Sequence, residues 1–108
     1  MPPAPTRHVI FHRPGPAWQP SLGVLEQPGI LEHLQYLTAA FAAGRIHLAG
    51  PFLDDGAGGM VITSGSCTAE EARRLAAEDP AVMSGLIHAE VRLWMTTLAE
   101  AGAQGADR

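Results

Sequence analysis

GILEHLQYLTAAFAAGRIHLAGP, residues 29–51, decides the fold class. Ile30, Leu34, Leu37 and Phe41 recur at spacings of four, three and four, which places them on one face of a helix. Gly44 closes that helix as the residue just past its end. Arg45 to Ala49 then reads as a short strand, stopped by Gly50-Pro51. A helix passing into a strand through one glycine is half of an alternating α and β chain.

Upstream, Arg7 to Arg13 is β-branched and aromatic, and Pro14-Gly15-Pro16 stops it, so a first strand is expected there. Trp18 to Pro28 reads as a connecting loop. Downstream, Asp54 to Gly59 is a turn and Met60 to Ser64 a third strand, which makes a hairpin with the second. Thr68-Ala-Glu-Glu71 is a capping box, with Ala72, Leu75 and Ala76 inward on the helix it starts. Asp79-Pro80 interrupts that helix, and Ile87 to Met95 is the last strand. The order β-α-β-β-α-β predicts an α+β domain of the ferredoxin-like type, residues 7–95. Residues 1–6 are expected to form a loose arm and residues 96–108 a tail. Two helices would cover one sheet face and leave the other bare. If Val9, Phe11, Ile46 and Leu48 face the helices, the bare face holds His8, His12, His47, His88, Arg92 and Trp94.

Composition narrows the functions. The chain has 108 residues, enough for a single domain, and 46% are apolar, enough for a packed core. All seven basic residues are arginine, and the absence of lysine excludes lysine Schiff-base chemistry and a Walker-type phosphate loop. A net charge of −4 with scattered arginines lacks the footprint of a nucleic-acid binder. Cys67 stands alone, which excludes an internal disulfide or a CxxC motif and makes a nucleophilic role a weak reading. No 18-residue apolar run or apolar signal core is present, so no membrane partner and a cytoplasmic setting are expected. No glycine-rich dinucleotide fingerprint is present, and no cofactor is expected. His8 and His12 would lie about 13 Å apart on a strand, too far to share one metal ion, and no metal is expected.

Glu32-His33-Leu34-x-Tyr36-Leu37, Ala43-Gly44-Arg45-Ile46, Ala49-Gly50-Pro51-Phe52 with Asp54, Thr68-x-Glu70-Glu71-Ala72 and Asp79-Pro80 occur in that order. As a set they resemble the YCII-related (YciI-like) proteins, from about His8 to about Trp94. The proline-rich entry before His33 is longer than that pattern, and the Asp54 to Gly59 loop is short and glycine-rich. The resemblance implies a dimeric α/β-barrel, a homodimer joined through the open sheet faces. It also implies a His–Asp dyad in a small pocket, carried over to His33 and Asp79. Some relatives are associated with lyase-type steps on small aromatic compounds.

Each site residue also has a structural reading. His33 lies in the apolar stripe of the first helix, as a general base or as a core-edge histidine held by a carbonyl. Asp79 before Pro80 is a natural helix N-cap, a role compatible with orienting His33. Arg45, Asp54 and Tyr36 are candidate substrate contacts. Their other readings are a surface arginine near a helix end, a turn residue and core filler. The expected function is a cofactor-independent lyase or isomerase that moves a proton on a small cyclic or aromatic molecule. The alternatives are a non-catalytic module that binds a small metabolite, or a cofactor-free oxygenase-like protein on the same barrel.

Overall fold

The computed structural model describes residues 5–100. Its element order is β1 (Thr6–Pro14), a 3-10 helix (Val24–Glu26), α1 (Ile30–Ala42), β2 (Ile46–Pro51), β3 (Gly59–Thr63), α2 (Ala69–Ala77), α3 (Pro80–Met83) and β4 (Ile87–Met95). The four strands form one antiparallel sheet in the order β2-β3-β1-β4. This is an α+β fold with an open sheet of the ferredoxin-like type. Thr6, assigned to the arm by sequence, is the first residue of β1. Thr96 donates its backbone N–H (2.9 Å) and its hydroxyl (3.1 Å) to Pro5 O, which ties the two ends of the described chain together. The rest of the arm, residues 1–4, and residues 101–108 of the expected tail lie outside the described residues.

Local chemistry accounts for the element ends. Gly44 takes φ +79, and the Arg45 N–H returns to Ala40 O at 3.0 Å, which satisfies a carbonyl the helix would otherwise leave open. Glu71 N–H donates to Thr68 Oγ1 at 3.1 Å while Thr68 N–H donates to Glu71 Oε1 at 2.8 Å, so the capping box forms. The loop between β1 and α1 is held by Gln27, only 2% exposed. Its side chain accepts from Gln19 N–H (3.0 Å) and donates to Gln19 O (2.8 Å) and Leu22 O (3.0 Å).

The main core packs Ile10, Ile46 and Val61 of the sheet against Ala40 of α1 and Leu75 and Ala76 of α2. A second cluster joins Ile30, Ala81, Leu86 and Ile87 at the other end. Two sequence expectations about faces are corrected. On β1 it is Ile10, with His8 and His12, that shares the helix-covered face, while Val9 and Phe11 lie on the open one. On β2 the pairing jumps from Ile46↔Thr63 to Leu48↔Ile62, so His47 is an extra residue. The bulge reverses the alternation, and Leu48 shares a face with Ile62 instead of Ile46. The open face therefore carries Val9, Phe11, Met60, Ile62, Arg92 and Trp94 around a shallow depression of about 260 Å³.

Helix α1 shows the third difference. Ile30, His33 and Ala40 are buried, but Leu34 is 43% and Phe41 60% exposed. Small Ala40 lets the helix approach the sheet closely. The bulkier residues of the expected stripe hang beside that contact, over a cavity.

The capping box yields the first prediction. Thr68→Ala removes the oxygen that the Glu71 N–H needs and lowers stability by about 1 kcal/mol. Thr68→Ser keeps the oxygen and retains most of it. Urea unfolding midpoints of the two variants check this; equal losses would show that the methyl group, not the cap, matters.

Candidate active site

His33 and Asp79 are 46 residues apart in sequence and meet in the interior. The Nδ1–H of His33 donates to Asp79 Oδ2 at 2.6 Å. Their side chains are 11% and 1% exposed. Asp79 is the N-cap of α3, and its Oδ1 accepts the Ala81 N–H at 2.9 Å. Capping and orienting thus coexist on one carboxylate, which has four lone-pair sites. The cap holds the carboxylate still, and the carboxylate fixes His33 in the Nδ1–H tautomer. Nε2 is left as the nitrogen available for chemistry.

His33 forms part of the wall of a cavity of about 670 Å³ between α1, the β1–α1 loop and the β2–β3 end of the sheet. Trp18, Leu34, Leu37, Phe41, Ile46 and Val61 make much of that wall apolar. The exposed edge of α1 is therefore the cavity's rim. Among the lining residues the side chains that carry polar atoms beyond the indole of Trp18 are His12, His33, Thr38 and His47. Thr38 already donates its hydroxyl to Leu34 O at 2.7 Å.

His12 is a site residue the sequence reading placed on the wrong face. Its ring stands edge-on to that of His33, with centroids 5.2 Å apart and planes at 82°. Burial and the neighbouring His33 push its pKa down to about 4, against a smaller upward pull from Asp79. One imidazole of the pair is thus tied to a carboxylate and the other is kept uncharged. The alternation of β1 allowed either face for His12; the covered face of the sheet settled it.

The remaining expected site residues lie elsewhere. Tyr36 donates its hydroxyl to Leu75 O at 2.9 Å, joining α1 to α2, and is not in the cavity wall. Arg45 is exposed just past the end of α1, and Asp54 is exposed in the β2–β3 turn; neither lines the cavity. Cys67 sits at a turn with its thiol directed to Thr68 O at 3.6 Å, and burial pushes its pKa up, which disfavours the reactive thiolate. Among the described residues, no three His, Cys, Asp or Glu side chains are grouped so as to hold a metal ion. Nor is any described helix long and apolar enough to cross a membrane.

The buried His12 makes stability depend on pH. Its folded pKa of about 4 lies below the ordinary value of 6.5, so between those values the unfolded chain binds more protons. Stability then falls as pH drops from about 6.5 to about 4, by on the order of 3 kcal/mol from this group. The His12→Phe variant is expected to lose that part of the slope in urea melts taken across the window. An unchanged slope would show that His12 titrates normally.

Comparison with protein-family models and with the curated proteins gives no match.

Proposed function

We propose that this chain is a YCII-like protein and a cofactor-independent enzyme of the lyase or isomerase type. It would move a proton on a small cyclic or aromatic molecule held in the cavity. The observation that carries the reading is the buried His33–Asp79 pair in the wall of an apolar cavity. These are the two residues that the resemblance singles out as the dyad.

The chemistry follows from the geometry. Neutral His33 takes a proton on Nε2 from a substrate C–H or O–H. Asp79, 2.6 Å from Nδ1, stabilises the imidazolium that forms. In an elimination, the C–H electron pair becomes a double bond and the leaving group departs with its own pair. In an isomerisation, the imidazolium returns the proton to a different carbon. Apolar walls strengthen the His33–Asp79 attraction by lowering the local dielectric. They also suit a ring-shaped substrate.

The same reading makes the protein a homodimer through its open sheet face, as a dimeric α/β-barrel. Half-buried Phe11 and Met60 on that face, with Trp94 47% exposed at its side, favour apolar contact over a solvated surface.

Three results test this. Wild type should show a downfield Nδ1 proton resonance from His33 that Asp79→Asn weakens or loses. In a turnover screen over small cyclic compounds, His33→Gln should fall at least about 100-fold below wild type while remaining folded by circular dichroism at the assay temperature. Trp94→Glu should convert a dimeric mass at micromolar concentration to a monomeric one. An intact resonance with no turnover anywhere would instead support the binding module, and a monomeric wild type would remove the barrel.

A further inference from the structure

His12 has no role in the His33–Asp79 pair, yet the fold spends a buried position on it. It is 5% exposed, and no hydrogen bond from another described residue reaches its ring. Its nitrogens are not sealed in protein, since no buried side-chain nitrogen or oxygen among the described residues lacks a partner. They face the cavity that His12 lines. An apolar ligand that displaces water from the cavity leaves those nitrogens unsatisfied, whereas one with a polar acceptor satisfies the N–H of the ring.

Space has been kept beside it. Its cross-strand neighbours are Gly59 on β3 and Ala89 on β4. A Cβ at position 59 would come within 2.7 Å of Gly50 O, so the β2–β3 packing admits no side chain there. No side chain from position 59 therefore reaches across the strands to partner the His12 ring. The charged and titratable groups that act on His12 are His33 from α1 and Asp79 from the start of α3. Among the described residues no arginine, aspartate or glutamate lines the cavity, and the chain has no lysine. The Asp79 carboxylate lies 2.6 Å behind His33, so a substrate anion would be buried near a like charge and without a cation of its own.

Resting on the active-site reading above, we propose that His12 is the contact that selects the ligand. It is a neutral imidazole that donates a hydrogen bond to the one polar acceptor of an uncharged, otherwise apolar small molecule, held within reach of His33. A ring kept uncharged near neutral pH has one N–H and one lone pair to offer, as this role requires. The cavity thereby binds ketone-like or ether-like molecules and rejects carboxylates and phosphates of the same size.

Cyclohexanone and cyclohexanecarboxylate are probes of matched shape. Each is titrated into wild type and His12→Phe near neutral pH, with the imidazole ¹⁵N resonances as the readout. Cyclohexanone is expected to shift the His12 nitrogens in wild type and to bind His12→Phe about fivefold more weakly. The carboxylate is expected to bind wild type at least about tenfold more weakly than the ketone. The inference is overturned if cyclohexanone does not bind wild type, or if saturation leaves the His12 nitrogens unmoved. It is also overturned if His12→Phe binds within about twofold of wild type, or if the carboxylate binds as tightly as the ketone. The wild-type shifts decide the matter even if the variant does not fold. A persistent His33–Asp79 proton with a silent His12 defeats this inference alone. A responsive His12 without that proton defeats the proposed dyad alone.

Discussion

Asp79 is the group on which the site and one end of the core depend. Its carboxylate is 1% exposed, and a buried carboxylate is tolerated only where hydrogen bonds replace its water. One oxygen takes the first free N–H of α3 and the other takes the imidazole of α1. Two helices from distant parts of the chain are thereby fixed relative to each other by one side chain. Ile30 of α1 and Ala81 of α3 pack with Leu86 and Ile87 into one cluster at this end of the core. Losing either partner would leave a charge or a donor stranded in that cluster, which is why the pair is structural and chemical at once.

The cavity exists because α1 is packed off-centre. Ala40 and His33 sit down on the sheet, while Leu34 and Phe41 reach past it. The β1–α1 loop, pinned by Gln27, brings Trp18 and Val24 across to form the far wall. On the sheet side the His47 bulge and the glycines at positions 58 and 59 keep the floor low. Apolar surface that would ordinarily seal a core is held open around two imidazoles. They differ in their neighbours, a bonded carboxylate for one and mainly desolvation and a second ring for the other.

Much of this was legible before any coordinates. The ends of α1 and α2 follow from Gly44 and the Thr68–Glu71 box, whose effects reach only three or four residues along the chain. β4 spans the same residues, Ile87 to Met95, that its alternation indicates. Asp79 as an N-cap is likewise local, since it bonds an amide two residues ahead. The pairing of Asp79 with His33 is different in kind. It links positions 33 and 79, and no periodicity carries that information; the ordered resemblance suggested the two residues together. Tyr36, Arg45 and Asp54 were candidates from their places beside His33, after the helix end and in the turn, and none of them lines the cavity.

The sequence by itself placed the four strands and the two longer helices to within about two residues at each end, because caps, glycine turns and side-chain period act within a few residues; the 3-10 turn Val24–Glu26 lay in a stretch it reads as loop. Tertiary structure alone decided which alternating set of each strand is covered. Period two says that His8, Ile10 and His12 share a face but is silent on which face meets the helices. That depended on Ile10 filling the space against Leu75 and Ala76, and it carried His12 inward beside His33. In β2 a single extra residue at His47 reversed the pattern, because a bulge shifts register without changing composition.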